Sequence, residues 1–253
     1  MIFIATHDKL ENVHNILYAL SKNKSLKIFN IRVIIGVSGQ NLDFIRLNLF
    51  DVKYIQLPSY YYWARSLKSI ILSAQKEDYK YAIHINDDVE AEQLVQLDLA
   101  SSMKSNTISY GCFKDIQEEI IFGGYKLSGM KAVLSNECVQ LFNGNFFSAP
   151  KNILQNALPS FTFQHAYLDF ILSYRMIKKN KNINIVKNNF YSNNEYLEDR
   201  LKTKKAYKSF WYSRANPLDA FMYYFYLGKF MTAPIVFLYL FYRVLKNYLM
   251  SRK

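Results

Sequence analysis

As far as Glu90 the chain alternates short apolar runs with segments of helical period, and this alternation constrains the fold more than any other feature. Ile2 to Ala5, Arg32 to Val37 (RVIIGV), Val52 to Leu57 and Tyr81 to Ile85 read as strands buried on both faces. Between them, Leu10, Val13, Ile16, Leu17 and Leu20 recur at helical spacing, as do Ala64, Leu67, Ile70, Ile71 and Ala74. Asp8 stands three before Glu11, the spacing of a capping box, and positions 41–49 also read as helix. Such alternation predicts an α/β fold with a doubly wound, largely parallel sheet flanked by helices.

After a predicted helix over Glu90 to Met103 the texture changes. Short β-like pieces, Thr107 to Tyr110 and Glu119 to Phe122, lie among Gly111, Gly123, Gly124 and Gly129. Phe142 to Phe147 reads as one strand with a polar break, where a glycine lets a backbone or ligand come close. Gln164 to Lys179 reads as helix, with Tyr167, Phe170, Ile171 and Tyr174 along one side, and Ile183 to Val186 as a last strand.

The fourth strand runs straight into Asn86-Asp87-Asp88. Open α/β sheets hold ligands at the carboxyl ends of their strands. Adjacent carboxylates there repel and are poorly solvated unless a cation meets them. This corner therefore reads as a site for a divalent cation and a diphosphate. The plainer reading is a turn in which Asp87 or Asp88 caps the helix starting near Ala91.

The net charge of +12 is concentrated: the segment from Arg200 to Lys253 carries +10. A basic balance invites a nucleic-acid reading. Here, however, the basic residues flank an apolar, aromatic run instead of lining a groove, which excludes nucleic acid as the expected partner and favours an anionic membrane surface. Phe230 to Tyr242 is thirteen residues without a charge, short of the ~20 a spanning helix needs. Lys229 precedes it and Pro234 is expected to break it, so an in-plane or re-entrant helix pair is predicted, against a helix packed on the main domain. Met1 to Ala5 is too short for a signal core, so no signal peptide is expected. Cys112 and Cys138 make no disulfide framework and are expected to be buried free thiols.

Five pieces in order carry a resemblance to a known family: Ile2-Phe3-Ile4-Ala5-Thr6, Tyr62-Trp63-Ala64-Arg65-Ser66, Ile85-Asn86-Asp87-Asp88-Val89, Phe142-Asn143-Gly144-Asn145-Phe146, and His165-Ala166-Tyr167-Leu168-Asp169-Phe170 with Arg175. Over residues 1–190 the chain resembles family-2 glycosyltransferases of GT-A fold, in the bacterial rhamnosyltransferase-like, cell-surface polysaccharide branch. The resemblance implies a GT-A (Rossmann-like), mixed, mostly parallel sheet flanked by helices over residues 1–205. A basic, aromatic, amphipathic helical tail would follow over 206–253.

By the same resemblance Asp88 is the metal ligand for Mg2+ or Mn2+, since Asn86 fills the first place of the DxD-type triplet. Thr6, Trp63, Arg65, Asn86 and Asp87 face the nucleotide-sugar donor. Gly144, Asn145 and His165 face a glycan or lipid-linked saccharide acceptor, and Asp169 is the catalytic base of an inverting transfer. Departures stand beside these matches: the second strand ends in Gly36-Val37-Ser38 where the family has carboxylates for the nucleotide base, and Ile171 replaces a second Asp.

The chemistry agrees. A departing diphosphate needs its charge neutralised by a cation held on carboxylates. An acceptor hydroxyl needs a carboxylate to take its proton, and partial burial on an aromatic helix face should raise that carboxylate's pKa. Plainer roles remain for each residue: Asp169 paired with Arg175 or Lys178, Arg65 with Asp78, Trp63 in the core, His165 without chemical role. The expected function is a membrane-peripheral, cytoplasmic glycosyltransferase; the alternative is a degenerate sugar-nucleotide-binding or scaffold protein.

Overall fold

The computed structural model describes residues 1–7, 9–39, 50–114, 117–128, 131–135, 137–163, 167–180, 184–191 and 217–250. Asp8, His165 and the predicted helix over 41–49 lie outside the described residues. The first part runs β1 (Ile2–His7), α1 (Leu10–Lys22), β2 (Arg32–Ser38), β3 (Asp51–Leu57), α2 (Trp63–Ser73) and β4 (Tyr81–Asn86). There follow α3 (Ala91–Gln96), β5 (Thr107–Lys114), β6 (Ile120–Phe122), β7 (Gly124–Ser128), β8 (Lys131–Leu134), β9 (Leu141–Phe142) and β10 (Phe146–Pro150). The rest is α4 (Lys151–Ala157), α5 (Leu168–Lys179), β11 (Asn184–Tyr191), α6 (Pro217–Tyr226) and α7 (Thr232–Met250).

The main sheet has the order β11-β5-β10-β4-β1-β2-β3, with β6 added to β5. β1 to β4 pair in parallel, as does β11 with β5. β10 runs antiparallel between β4 and β5, which makes the sheet mixed. A small antiparallel sheet, β8-β7-β9, stands apart from it.

Apolar residues on successive strand positions feed two cores because side chains alternate across a sheet. Phe3, Ala5, Ile34 and Ala82 pack with α2, α4, α5 and α6; Ile2, Ile4, Ile35, Ile83 and Ile85 pack with α1 and α3. Gly36 of β2 has a packing reason: a Cβ there would come 2.7 Å from Ile70 Cδ1 of α2.

Several elements differ from the sequence expectation. The helix predicted over Glu90 to Met103 stops at Gln96. Asp98 accepts the backbone N–H of Ser101 at 3.1 Å and starts a separate 3-10 turn, Ser101–Met103. The expected single strand across Phe142 to Phe147 is two strands, β9 and β10, in different sheets. The polar break is the crossover between them. The helix predicted from Gln164 begins at Leu168, since Tyr167 takes a left-handed conformation at φ 66° that a helix does not continue through. Cys112 is buried but Cys138 is exposed.

At the C-terminal end, α6 is joined by a short turn to α7. Pro234 does not break the apolar run: it sits in the first turn of α7, where a missing N–H costs no intrahelical bond. α6 places Tyr223 and Leu227 in the main core. Among the described residues, eight of the eighteen exposed large apolar residues belong to α6 and α7, six of them, including Ile235, Leu238, Tyr239 and Phe241, to α7, and Phe230 and Met231 lie in the turn between. Among the described residues no helix is long and apolar enough to cross a membrane.

Candidate active site

The carboxyl ends of β1, β2 and β4, the start of α2, the β9–β10 crossover and the start of α5 surround one cavity of about 460 Å³. Asp88 and Asp169, eighty-one positions apart in sequence, both line it.

The strand-end half is polar. Asp87 is buried and accepts the hydroxyl of Thr6 at 2.7 Å. The side chain of Asn12, on α1, donates to the Asp87 carbonyl at 3.1 Å. Burial pushes the Asp87 carboxyl above its usual range, and the adjacent Asp88 charge adds to this; Thr6 and Lys9 oppose it. Asp88 meets Lys9 Nζ at 2.5 Å and accepts the Asn86 amide at 3.2 Å. The cation that the paired carboxylates require is thus partly supplied by the chain itself. The corner is a turn, as the plainer reading has it, with the Val89 N–H donating to the Asn86 carbonyl at 3.1 Å, but the N-cap of α3 is Glu90 and neither Asp. Ser38, at the end of β2, pairs with the His7 ring at 3.1 Å and donates to the Thr6 carbonyl at 3.3 Å.

The other half is aromatic and centres on Gly144. Its N–H donates to Asp169 Oδ2 at 2.8 Å. A Cβ at Gly144 would lie 2.5 Å from Trp63 Cζ2 and 2.9 Å from Asp169 Cβ, so only glycine lets the indole and the carboxylate close on this backbone. Beneath them His84 is fully buried between Trp63 and Phe147, with ring centroids at 5.8 and 5.1 Å. Its Nδ1 donates to the Phe3 carbonyl at 3.1 Å, and burial pushes its imidazole down to about 3. It is a neutral structural histidine. Asn145 donates no side-chain bond that defines the site; its carbonyl accepts the N–H of Asn86 at 2.8 Å, tying crossover to corner. Phe122, Tyr125, Tyr167 and Phe170 complete the wall.

Of the residues singled out in the sequence, Thr6, Trp63, Asn86, Asp87, Asp88, Gly144, Asn145 and Asp169 come together on this cavity. Arg65 is not among its lining residues: its guanidinium lies over the rings of Tyr60 and Tyr61, 5.9 and 4.9 Å from their centroids. Arg175 and Lys178, the alternative partners for Asp169, lie against Tyr226 and Tyr174. Lys9, His7, Ser66, Tyr125 and Asn143 also line the cavity, without a role assigned from the sequence. Lys9 was findable as a cation just past the first strand, and Ser66 and Asn143 from their places in the Tyr62 to Ser66 and Phe142 to Phe146 pieces; His7 and Tyr125 carry no local sequence signal.

Four buried side-chain atoms of lining residues find no hydrogen-bond partner among the described residues: Trp63 Nε1, Ser66 Oγ, Asn86 Oδ1 and Asn143 Oδ1. Buried polar groups are rarely left so, and four of them belong to residues around this one cavity. A magnesium-type cation is held by one or two carboxylates plus substrate phosphates. No group of three or more acidic, His or Cys side chains that could hold a metal occurs among the described residues. Asp88 and Asp87 with a diphosphate fit that need without one.

The architecture can be placed among solved structures. S. aureus TarS aligns with TM-score 0.56 and 12% identity, over 92% of this chain and 48% of TarS. TarS 1-349 aligns with TM-score 0.52 and 9% identity, over 91% of this chain and 71% of that one. TarS 1-349 in complex with UDP gives TM-score 0.51 and 13% identity, over 92% and 80%. The chain has the GT-A fold. No family model matches the sequence, and no curated protein does. The GT-A likeness is thus one of backbone, a mixed sheet in which β10 runs antiparallel beside β4. The chain spans about half of the TarS chain in the first of these alignments.

Proposed function

We propose that this protein is a family-2, inverting, metal-dependent glycosyltransferase of the rhamnosyltransferase-like branch. It moves a hexose or deoxyhexose from a nucleotide-sugar donor to a cell-surface glycan, the acceptor being lipid-linked. The observation that carries this reading is the single cavity shared by Asp88 and Asp169, with Gly144 N–H holding the latter. The UDP held by one structural neighbour supports a nucleotide in the polar half.

Asp88 and Asp87 would hold Mg2+ or Mn2+, which when bound neutralises charge on the departing diphosphate. Lys9 adds a cation beside the same oxygens. Thr6, Asn86 and Trp63 orient the donor, and Asn143, Gly144 and Asn145 border the acceptor. Asp169 takes the proton of the acceptor hydroxyl as its oxygen bonds to the anomeric carbon. The bond from that carbon to the diphosphate breaks on the opposite side, and the nucleoside diphosphate leaves. One base and one displacement give inversion.

The exposed apolar residues of α7 and the basic charge of the C-terminal segment support a peripheral position on the inner face of the cell membrane, beside a lipid-linked acceptor. A screen of UDP-, GDP- and dTDP-sugars with Mn2+ and saccharide acceptors, read by mass, tests the function. A nucleoside diphosphate with a new glycoside supports it. Binding of no nucleotide sugar with or without metal would favour a scaffold instead.

A further inference from the structure

We propose that Tyr223 of α6 is a positioning residue for the acceptor wall, acting through Tyr167 and Phe170. The inference rests on assigning the aromatic half of the cavity to the acceptor. Tyr167 is a non-glycine residue at φ 66° directly before α5, a conformation that persists only where neighbours fix it. Its ring stacks on Tyr223, with centroids 4.7 Å apart and planes 23° apart. Tyr223 also meets Phe170 at 6.2 Å, and Phe170 meets Tyr125 at 5.1 Å. Tyr167, Phe170 and Tyr125 line the cavity; Tyr223 does not. It stands behind the wall, 4% exposed.

α6 is itself anchored. The Tyr226 hydroxyl accepts the Phe161 N–H at 3.1 Å and pairs with Ser160 Oγ at 2.9 Å, while Arg175 of α5 lies over its ring at 5.6 Å. Burial foremost, with Tyr224, Tyr167 and Asp169 adding to it, pushes the Tyr223 phenol above its ordinary value, so it works as a neutral ring. The helix pair therefore does more than offer an apolar surface: its first helix supports the residues flanking Asp169.

The test uses full-length Tyr223→Ala and Tyr223→Phe, with donor and acceptor varied separately, and hydrogen exchange across residues 167–172. Tyr223→Ala should raise the acceptor KM by about tenfold or more while the donor KM stays within about twofold. Tyr223→Phe, which keeps the ring, should restore the acceptor KM. Exchange across 167–172 should quicken by roughly tenfold in the Ala variant and not in β1 or β4. Should Tyr223→Ala fail to fold, Tyr223→Leu replaces it with the same expectations. Equal change in both KM values, failure of Phe to restore, or unchanged exchange would overturn the proposal. If the wild-type protein transfers no sugar, the glycosyltransferase reading falls, and the exchange result alone decides for or against Tyr223.

Discussion

Gly144 donates its backbone N–H to Asp169 at 2.8 Å while the Trp63 ring lies over the same residue. A crossover loop, a helix start and an indole thereby meet at one Cα. Gly144→Ala should force the indole or the carboxylate aside, because the new Cβ has no room. Overpacking of this kind costs about 1–3 kcal/mol. A misplaced base costs about 10²-fold in rate. We expect a modest fall in Tm and a large fall in kcat, measured on the same preparation.

Lys9 and Asp88 form a part-exposed pair, 45% and 20% exposed. Such pairs contribute little to stability, about 1 kcal/mol or less. Facing a diphosphate, the same ammonium would make a charge-assisted bond of about 1.5–3 kcal/mol. Lys9→Met should therefore leave Tm nearly unchanged and weaken nucleoside-diphosphate binding by about tenfold or more. Calorimetry with UDP in Mn2+ checks this.

His84 gives the fold a pH dependence. Its folded pKa is lowered by burial from 6.5 to about 3. As pH falls below 6.5, the unfolded chain takes up a proton that the folded chain refuses until about pH 3. Its contribution is thus present above that window and is lost on acidification, by up to about 1.4 kcal/mol per pH unit. Asp87 acts in the opposite sense, since its raised pKa lets the folded state keep a proton the unfolded state has lost above 3.8. Urea midpoints between pH 4 and 7 should slope upward with pH, and His84→Leu should flatten that slope.

The two C-terminal helices should separate by truncation. Ending the chain after Gly228 keeps Tyr223 and Leu227 in the core. Ending it at residue 216 removes them, at a cost of about 3–5 kcal/mol for a buried aromatic. The longer truncation product should bind UDP as the whole protein does but no longer sediment with phosphatidylglycerol vesicles. The shorter should be markedly less stable. Vesicle binding retained without α7 would place the anchor elsewhere.

The parallel half of the fold was legible because Ile2 to Ala5, RVIIGV and Tyr81 to Ile85 are apolar on both faces, and only a sheet covered on both sides asks for that. The acidic corner was legible because adjacent carboxylates after such a strand need a partner. The antiparallel course of β10 was not, since Phe142 and Phe146 are equally apolar and pairing direction leaves no trace in composition. Arg65 was expected on the donor because the resemblance over Tyr62 to Ser66 puts it there. Tyr60 and Tyr61, just before α2, take its guanidinium instead. The role of α6 was hidden by its texture: Phe221 to Tyr226 is aromatic at every position but Met222, so the buried Tyr223 looks like its exposed neighbour Phe225.

The most direct test of the account is sugar transfer by Asp169→Asn and Asp88→Asn, with donor binding measured in parallel. Asp169→Asn should bind the nucleotide sugar with Mn2+ as the wild type does, yet lose about 10²–10⁴-fold or more in transfer rate. Asp88→Asn should lose the metal-dependent part of donor binding as well. Transfer at the wild-type rate by the Asp169 variant would contradict the assignment of this cavity as the place where the acceptor is deprotonated.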